Sequence, residues 1–317
     1  MIDKKPKLEK QPKSMGPTPS VNPCSVIDPS RNLHVAISRA EIERDRIIAP
    51  EVELRKTYAH AFAHPMLATS PPVEENTHHP APWHVISAPG VVETATVEMV
   101  LSPRETNSID RLGHARNVVS LIRLLAGSPV HAPVYSDIAF SEMATAKGIE
   151  VWQFEAPIDW SISRVKLDDE MLAEIETMLV PLQTLLRNEG FNSAFRLADA
   201  MWWLPTLDAQ MVAIWTASEA LMKPDRNDMT KQLARLIRAY SGVSRQDGDN
   251  CYQRVISLCR ARGEAVHAGV QPRPQDVQES YYMLRRLLLR ALAEGAVPGR
   301  LETITPVWQH TAKKGQD

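Results

Sequence analysis

Beyond Leu167 the apolar residues return every three or four positions. That spacing predicts helices joined by short turns over 168–188, 191–204, 208–222, 230–241, 249–268 and 275–294. The punctuation agrees: an acidic turn opens the first helix, Pro181 is its expected kink, Pro224 ends the third and Gly242 stops the fourth. Before residue 165 the texture differs. Prolines crowd the stretch from Pro6 to Pro89 and argue against long helices there. Within it, 39–63 has helical composition, including 40–46 and 52–62. Strands are expected over 83–88 and 91–101, the second alternating Val92, Thr94, Thr96 and Glu98 against Glu93, Ala95, Val97 and Met99. A helix is expected over 107–126, where Ile109, Leu112, Val118, Leu121, Ile122 and Leu125 are periodic, and further strands over 135–140 and 149–154.

The fold class that follows is α+β: a mixed α/β region over 32–165, then an all-α bundle over 166–297. Residues 1–31, rich in Pro, Lys and Ser, read as a disordered tail, and 298–317 as a C-terminal tail. A length of 317 residues suits two domains, or one domain with a large appendage. No apolar run reaches the roughly 18 residues of a membrane span, and the polar start has no secretory signal. Cys24, Cys251 and Cys259 are an odd set with two on one predicted helix, which points to a reducing, cytoplasmic setting rather than a disulfide framework. The net charge of −2 hides a local excess: between 230 and 262, Lys231, Arg235, Arg238, Arg245, Arg254, Arg260 and Arg262 face only Asp247 and Asp249. Such a segment suits either an anionic partner or a solvated helix face.

Two charges interrupt the helical stripes. On 249–268 the stripe runs Val255, Cys259, Arg262, Val266, and on 208–222 it runs Val212, Trp215, Glu219, Met222. A charge on a core stripe demands a partner, so Arg262 and Glu219 are expected to meet across a helix contact. If the pair is buried, breaking it costs about 3–5 kcal/mol. Five residues after Arg262 comes His267, followed by Ala268 and Gly269, a helix C-terminus with glycine just past the last turn. An arginine and a histidine there suit holding a phosphate and moving a proton. They equally suit capping of the terminal carbonyls, with Glu264 available to His267 or Arg260. On an ideal helix the two side chains stand about 140° apart.

Other chemistry is sparse. His60 and His64 have zinc-binding spacing for a helix face, but Pro65 ends that helix and the metalloprotease glutamate is missing. His78, His79 and His84 add no ligand pattern, so no metal or cofactor is expected. A helix-turn-helix over 233–257 is disfavoured by its long linker. Trp202, Trp203, Trp215, Tyr281 and Tyr282 read as core or dimer surface. No phosphate-binding glycine loop or nucleophile elbow appears.

One resemblance organises these observations. The order Ile214-Trp-Thr-Ala-Ser-Glu219-Ala-Leu221, a Pro-Asp turn, Thr230-Lys-Gln-Leu-Ala, then Cys259-Arg-Ala-Arg262-Gly-Glu-Ala-Val-His267-Ala-Gly269 resembles the ApeA-like branch of the HEPN superfamily. In that branch an "ALEALL"-like helix precedes a helix ending in Arg, four residues, His and glycine. The resemblance covers about 167–295 and implies a helical bundle that dimerises to set two Arg–His motifs across a cleft. It further implies a metal-independent endoribonuclease of toxin–antitoxin or antiviral defence systems, acting on RNA, with an antitoxin or defence protein as partner. Other members are catalytically silent modules that bind RNA or protein. His267 then corresponds to the acid/base group, Arg262 to the phosphate ligand and Glu219 to the residue orienting Arg262. Gly263 departs from the pattern, which commonly has Asn, Asp or Ser after the arginine. For the dimer, Leu284, Leu287, Leu288 and Ala291 offer an apolar face on the last helix.

Overall fold

In the computed structural model, residues 27–28, 30–63, 66–69, 84–87, 91–103, 108–145, 149–151, 164–225, 227–241 and 245–299 are described. The chain runs β1 (Leu33–Ser38), β2 (Ala40–Ile42), β3 (Arg46–Ala49), β4 (Val52–Ala63), β5 (Met66–Thr69), β6 (His84–Ser87), β7 (Val91–Leu101), α1 (Ser108–Ala126), β8 (His131–Ser136), β9 (Ile149–Val151) and β10 (Val165–Leu167). It continues as α2 (Asp169–Leu185), α3 (Glu189–Ala200), α4 (Leu207–Met222), α5 (Met229–Tyr240), α6 (Arg245–Ala268) and α7 (Pro274–Glu294). The architecture is α+β, with a six-stranded antiparallel sheet ordered β3-β4-β7-β1-β8-β9 and the helices C-terminal to it.

Register explains the sheet's two faces. Leu33, Val35 and Ile37 pair with Leu101, Met99 and Val97, and all six are buried on one face with Val52 and Leu54. Leu121 and Ile122 of α1 belong to the same apolar core. The opposite face carries a small cluster of Ala36, Ala95, Val134 and Phe140. There His34 Nδ1 lies 2.8 Å from Glu98 Oε1, and the same oxygen accepts the Phe140 N–H at 3.0 Å. Both side chains are buried, so this polar pair is satisfied within the protein.

The main core does not stop at residue 165. Ile42 and Ile48 share one cluster with Leu167, Leu172, Ile175 and the apolar residues of α3, α4 and α7. Polar contacts cross the same line. Arg285 of α7 donates from Nε to the Leu124 carbonyl at 2.6 Å and from Nη2 to the Leu125 carbonyl, closing the C-terminal end of α1. Arg123 Nη1 donates to Asp199 Oδ1 at 2.7 Å.

Four expectations need correction. The stretch 39–63 forms strands, because Val52 and Leu54 face the core while Glu53 and Arg55 face outward, and β4 pairs with β7 from end to end save for a shift in register between Lys56 and Ala59. The tail does not extend to residue 31: Ile27 is buried, and Arg111 donates to the Asp28 and Arg31 carbonyls. The strand expected over 135–140 lies at His131–Ser136, where every residue is buried and no alternation marks it. Leu284, Leu287, Leu288 and Ala291 are each fully buried against the chain's own core, so that face is not available to a second copy. The remaining helices fall within a few residues of their predicted spans, although α6 begins at Arg245, earlier than the apolar spacing indicated. Trp202, Trp215 and Tyr281 are core residues, with Trp202 and Tyr281 edge to face at 4.7 Å between centroids. Among the described residues no helix is long and apolar enough to cross a membrane.

Candidate functional site

Helix α4 is the central helix of the bundle, buried along Met211, Ile214, Trp215, Ser218, Leu221 and Met222. Thr206 caps its start by accepting the Ala209 N–H, and Lys223 ends it in the left-handed region at φ 48°, its N–H bonding the Glu219 carbonyl at 2.9 Å. Gly190 lets α3 press against that last turn, since a β-carbon there would stand 2.6 Å from the Ala220 carbonyl oxygen. Glu219 is therefore carried on a fixed piece of backbone.

Helix α6 brings Arg262 to it. Its buried line is Val255, Leu258 and Ala265, whereas Val266 is half exposed. The predicted stripe is thus rotated: Arg262 stands on the flank of the packed face rather than in its middle. Arg262 Nη1 lies 3.7 Å from Glu219 Oε1, with 34% and 27% of the two side chains exposed. The pair meets as expected but is not buried, which removes the large desolvation cost that a core position carries. Arg262 Nε points into the helix contact and has no hydrogen-bond partner. Cys259 sits beside the pair, and its thiol is pushed up to about 12, first by burial and then by the Glu219 charge, with Arg262 partly offsetting. It stays protonated at neutral pH and is no nucleophile.

His267 lies elsewhere. It occupies the last turn of α6, exposed to solvent. Gly269 turns left-handed at φ 66°, and the Val270 N–H reaches back six residues to the Glu264 carbonyl at 3.3 Å. That closure is the glycine-dependent helix end the sequence indicated. The side chains of Arg260, Glu264 and His267 are exposed and make no hydrogen bond or ion pair with other described residues, so the local pairings open to Glu264 are not formed. Arg262 and His267 are separated by roughly 7.5 Å of helix rise as well as by their angular offset. Glu219 and Arg262 are brought together; His267 is not brought to them.

The basic segment is largely neutralised by ion pairs, most of them to acids outside it. Lys231 pairs with Asp228 at 3.3 Å, Arg238 with Asp249 at 2.9 Å, and Arg254 with Asp276 at 2.9 Å and with Glu279. Asp276 is buried, and its carboxyl is held below the usual range first by Arg273 and then by Arg254. Arg235 and Arg260 of the segment stand exposed without an acid partner among the described residues. For metals, His60 lies on strand β4 rather than a helix, and His64, His78 and His79 lie outside the described residues. Among those described, no three His, Cys, Asp or Glu residues are grouped to hold an ion.

Sequence reasoning missed the His34–Glu98 pair and the environment of Cys259. Glu98 was legible as polar on an alternating strand, but nothing in the pattern shows that Phe140 folds over that face. Comparison with protein-family models, curated proteins and solved structures finds no match to this chain.

Proposed function

We propose that the chain is a HEPN-type, metal-independent endoribonuclease of a cellular defence or stress response, working as a homodimer in the cytoplasm. The observation that carries this reading is the Glu219–Arg262 contact. It joins the two segments on which the family resemblance rests, and it does so on adjacent helices of one bundle. In the reaction the 2′-hydroxyl of RNA attacks the neighbouring phosphate, the bond to the 5′-oxygen breaks, and a 2′,3′-cyclic phosphate and a 5′-hydroxyl result. Arg262 holds the phosphate and stabilises its developing charge. His267 moves the proton, having the only side chain in the motif whose ordinary pKa, about 6.5, suits exchange near neutrality.

The offset between Arg262 and His267 on α6 bears on the assembly. One chain does not close both residues over a single phosphate, so a second copy supplies the other half of the cleft. The contact surface is not the buried face of α7 but the exposed end of α6, where Val266 and Val270 flank His267. The same half-exposed valines favour a second reading, a non-catalytic module of this kind that binds RNA or a protein partner such as an antitoxin.

Incubating the purified protein with total RNA in EDTA separates the two. The nuclease reading expects cleavage products ending in cyclic phosphate, lost in His267→Ala and Arg262→Ala and partly retained in Arg262→Lys, which lacks the bidentate fork. DNA resists, having no 2′-hydroxyl. A wild-type protein that binds RNA without ever cutting it makes the module reading the correct one. A monomer by light scattering at micromolar concentration removes the shared cleft.

A further inference from the structure

We propose that Glu219 is a built-in counter-anion for Arg262, which an incoming phosphodiester must displace before the arginine can grip it. The inference rests on the phosphate-holding role given to Arg262 above and adds a regulatory element to that site.

The geometry carries it. At 3.7 Å the contact from Nη1 to the carboxylate lies beyond hydrogen-bonding reach, so it is a loose Coulombic pairing rather than a fork-to-fork clamp. Glu219 engages one terminal nitrogen only, and Nε is buried in the helix contact, so an approaching anion meets the guanidinium at its terminal nitrogens. A guanidinium binds best to an anion offering two oxygens to two of its N–H donors, and for Arg262 those are on the terminal nitrogens, away from the buried Nε. A phosphodiester has two such oxygens, and Glu219, placed as it is, uses neither donor fully. With roughly a quarter to a third of each side chain open to solvent, a ligand can approach the pair without unfolding the helices.

The two anions do not sit together at one guanidinium without cost. Like charges a few ångströms apart in a partly desolvated place repel. The carboxylate's charge is already felt locally, since it helps raise the neighbouring Cys259 thiol. Nearby, Lys223 stands exposed one turn beyond Glu219 and gives the displaced carboxylate a cation within its own helix end. The pair thus keeps Arg262 in place when the site is empty and weakens its hold on any phosphate that arrives. Glu219 sets a threshold for binding.

The test is equilibrium binding of a fluorescent RNA whose riboses are all 2′-O-methylated, so that it binds without being cut. The full-length wild type, Glu219→Gln, Glu219→Asp and Arg262→Ala are compared at low salt, with thermal melting as the check on folding. Glu219→Gln keeps the shape and removes the charge, so it is expected to bind about two- to fivefold more tightly, the effect of releasing a half-exposed ion pair. Glu219→Asp withdraws the carboxylate and is expected to bind more tightly than the wild type, and it serves alone if the glutamine variant does not fold. Arg262→Ala is expected to bind more weakly than all of them. If Arg262→Ala weakens binding while the Glu219 variants weaken it too or leave it unchanged, the counter-anion is overturned and the phosphate-holding role survives. If Arg262→Ala binds as the wild type does, or no protein binds at all, both fall together.

Discussion

Gly190 lies so close beneath the carbonyl of Ala220 that any β-carbon at 190 would stand 2.6 Å from the oxygen. The contact sets how deeply α3 seats on the last turn of α4, the turn that carries Glu219. Gly190→Ala is therefore expected to force the helices apart and to cost about 1–3 kcal/mol, the usual range for overpacking a fitted contact. Urea denaturation measures it, and an unchanged midpoint would show that the helices part freely.

Glu219 and Arg262 are expected to be coupled weakly. Because both side chains are partly exposed, Glu219→Ala should cost about 0.2–1 kcal/mol rather than the several expected of a buried pair. A double-mutant cycle with Arg262→Met reads the coupling directly. A coupling energy of several kcal/mol would place the pair in a drier setting than the one described.

Asp276 makes stability depend on acid pH. Its folded pKa is depressed by Arg273 and Arg254, so its contribution is present above the unfolded value near 3.9 and is lost as pH falls through the lower folded value. Asp276→Asn should be less stable at neutral pH and should lose less stability on acidification than the wild type. Denaturation midpoints between neutrality and about pH 3 check the sign. Parallel curves for the two proteins would assign the acid dependence to other groups.

Gly263 has open space where a side chain would stand, with nothing within 4 Å of an added β-carbon. Inside α6, Gly263→Ala should stabilise the protein by about 0.4–1 kcal/mol by narrowing the unfolded ensemble. Gly263→Asn tests the same position for function: in the nuclease reading it restores the polar residue common at that place and is expected to raise cleavage. Thermal melting and the RNA assay report the two effects separately.

What the residues disclosed depended on how many constraints each segment obeyed at once. Strand β7 alternates cleanly because one face is apolar core, and α7 repeats cleanly because Leu284, Leu287 and Leu288 all point inward. Strand β4 was misread because its composition fits a helix, and only its pairing with β7, remote in sequence, decides otherwise. Strand β8, buried throughout, has no period at all. At the site, the need of Glu219 and Arg262 for partners was legible from their places on apolar stripes, and the glycine-closed end of α6 from Ala268 and Gly269. The depth of the pair was not, because a shift of one residue in the packed line moves Val266 into solvent and Arg262 to the flank. Charge pairing was equally hidden: Asp276 and Glu279 lie on the next helix, where a count over 230–262 does not reach.

The clasp of Arg285 on the last carbonyls of α1 bears on how the chain is to be cut. A fragment beginning at residue 166 would leave that guanidinium without its acceptors and would uncover Leu172 and Ile175, whose neighbours include Ile42 and Ile48. The complementary fragment would end α1 with open carbonyls and a stripped sheet face. Neither piece is a portable unit, so the helices that carry Glu219, Arg262 and His267 can be transplanted, tagged or crystallised only together with the sheet that precedes them.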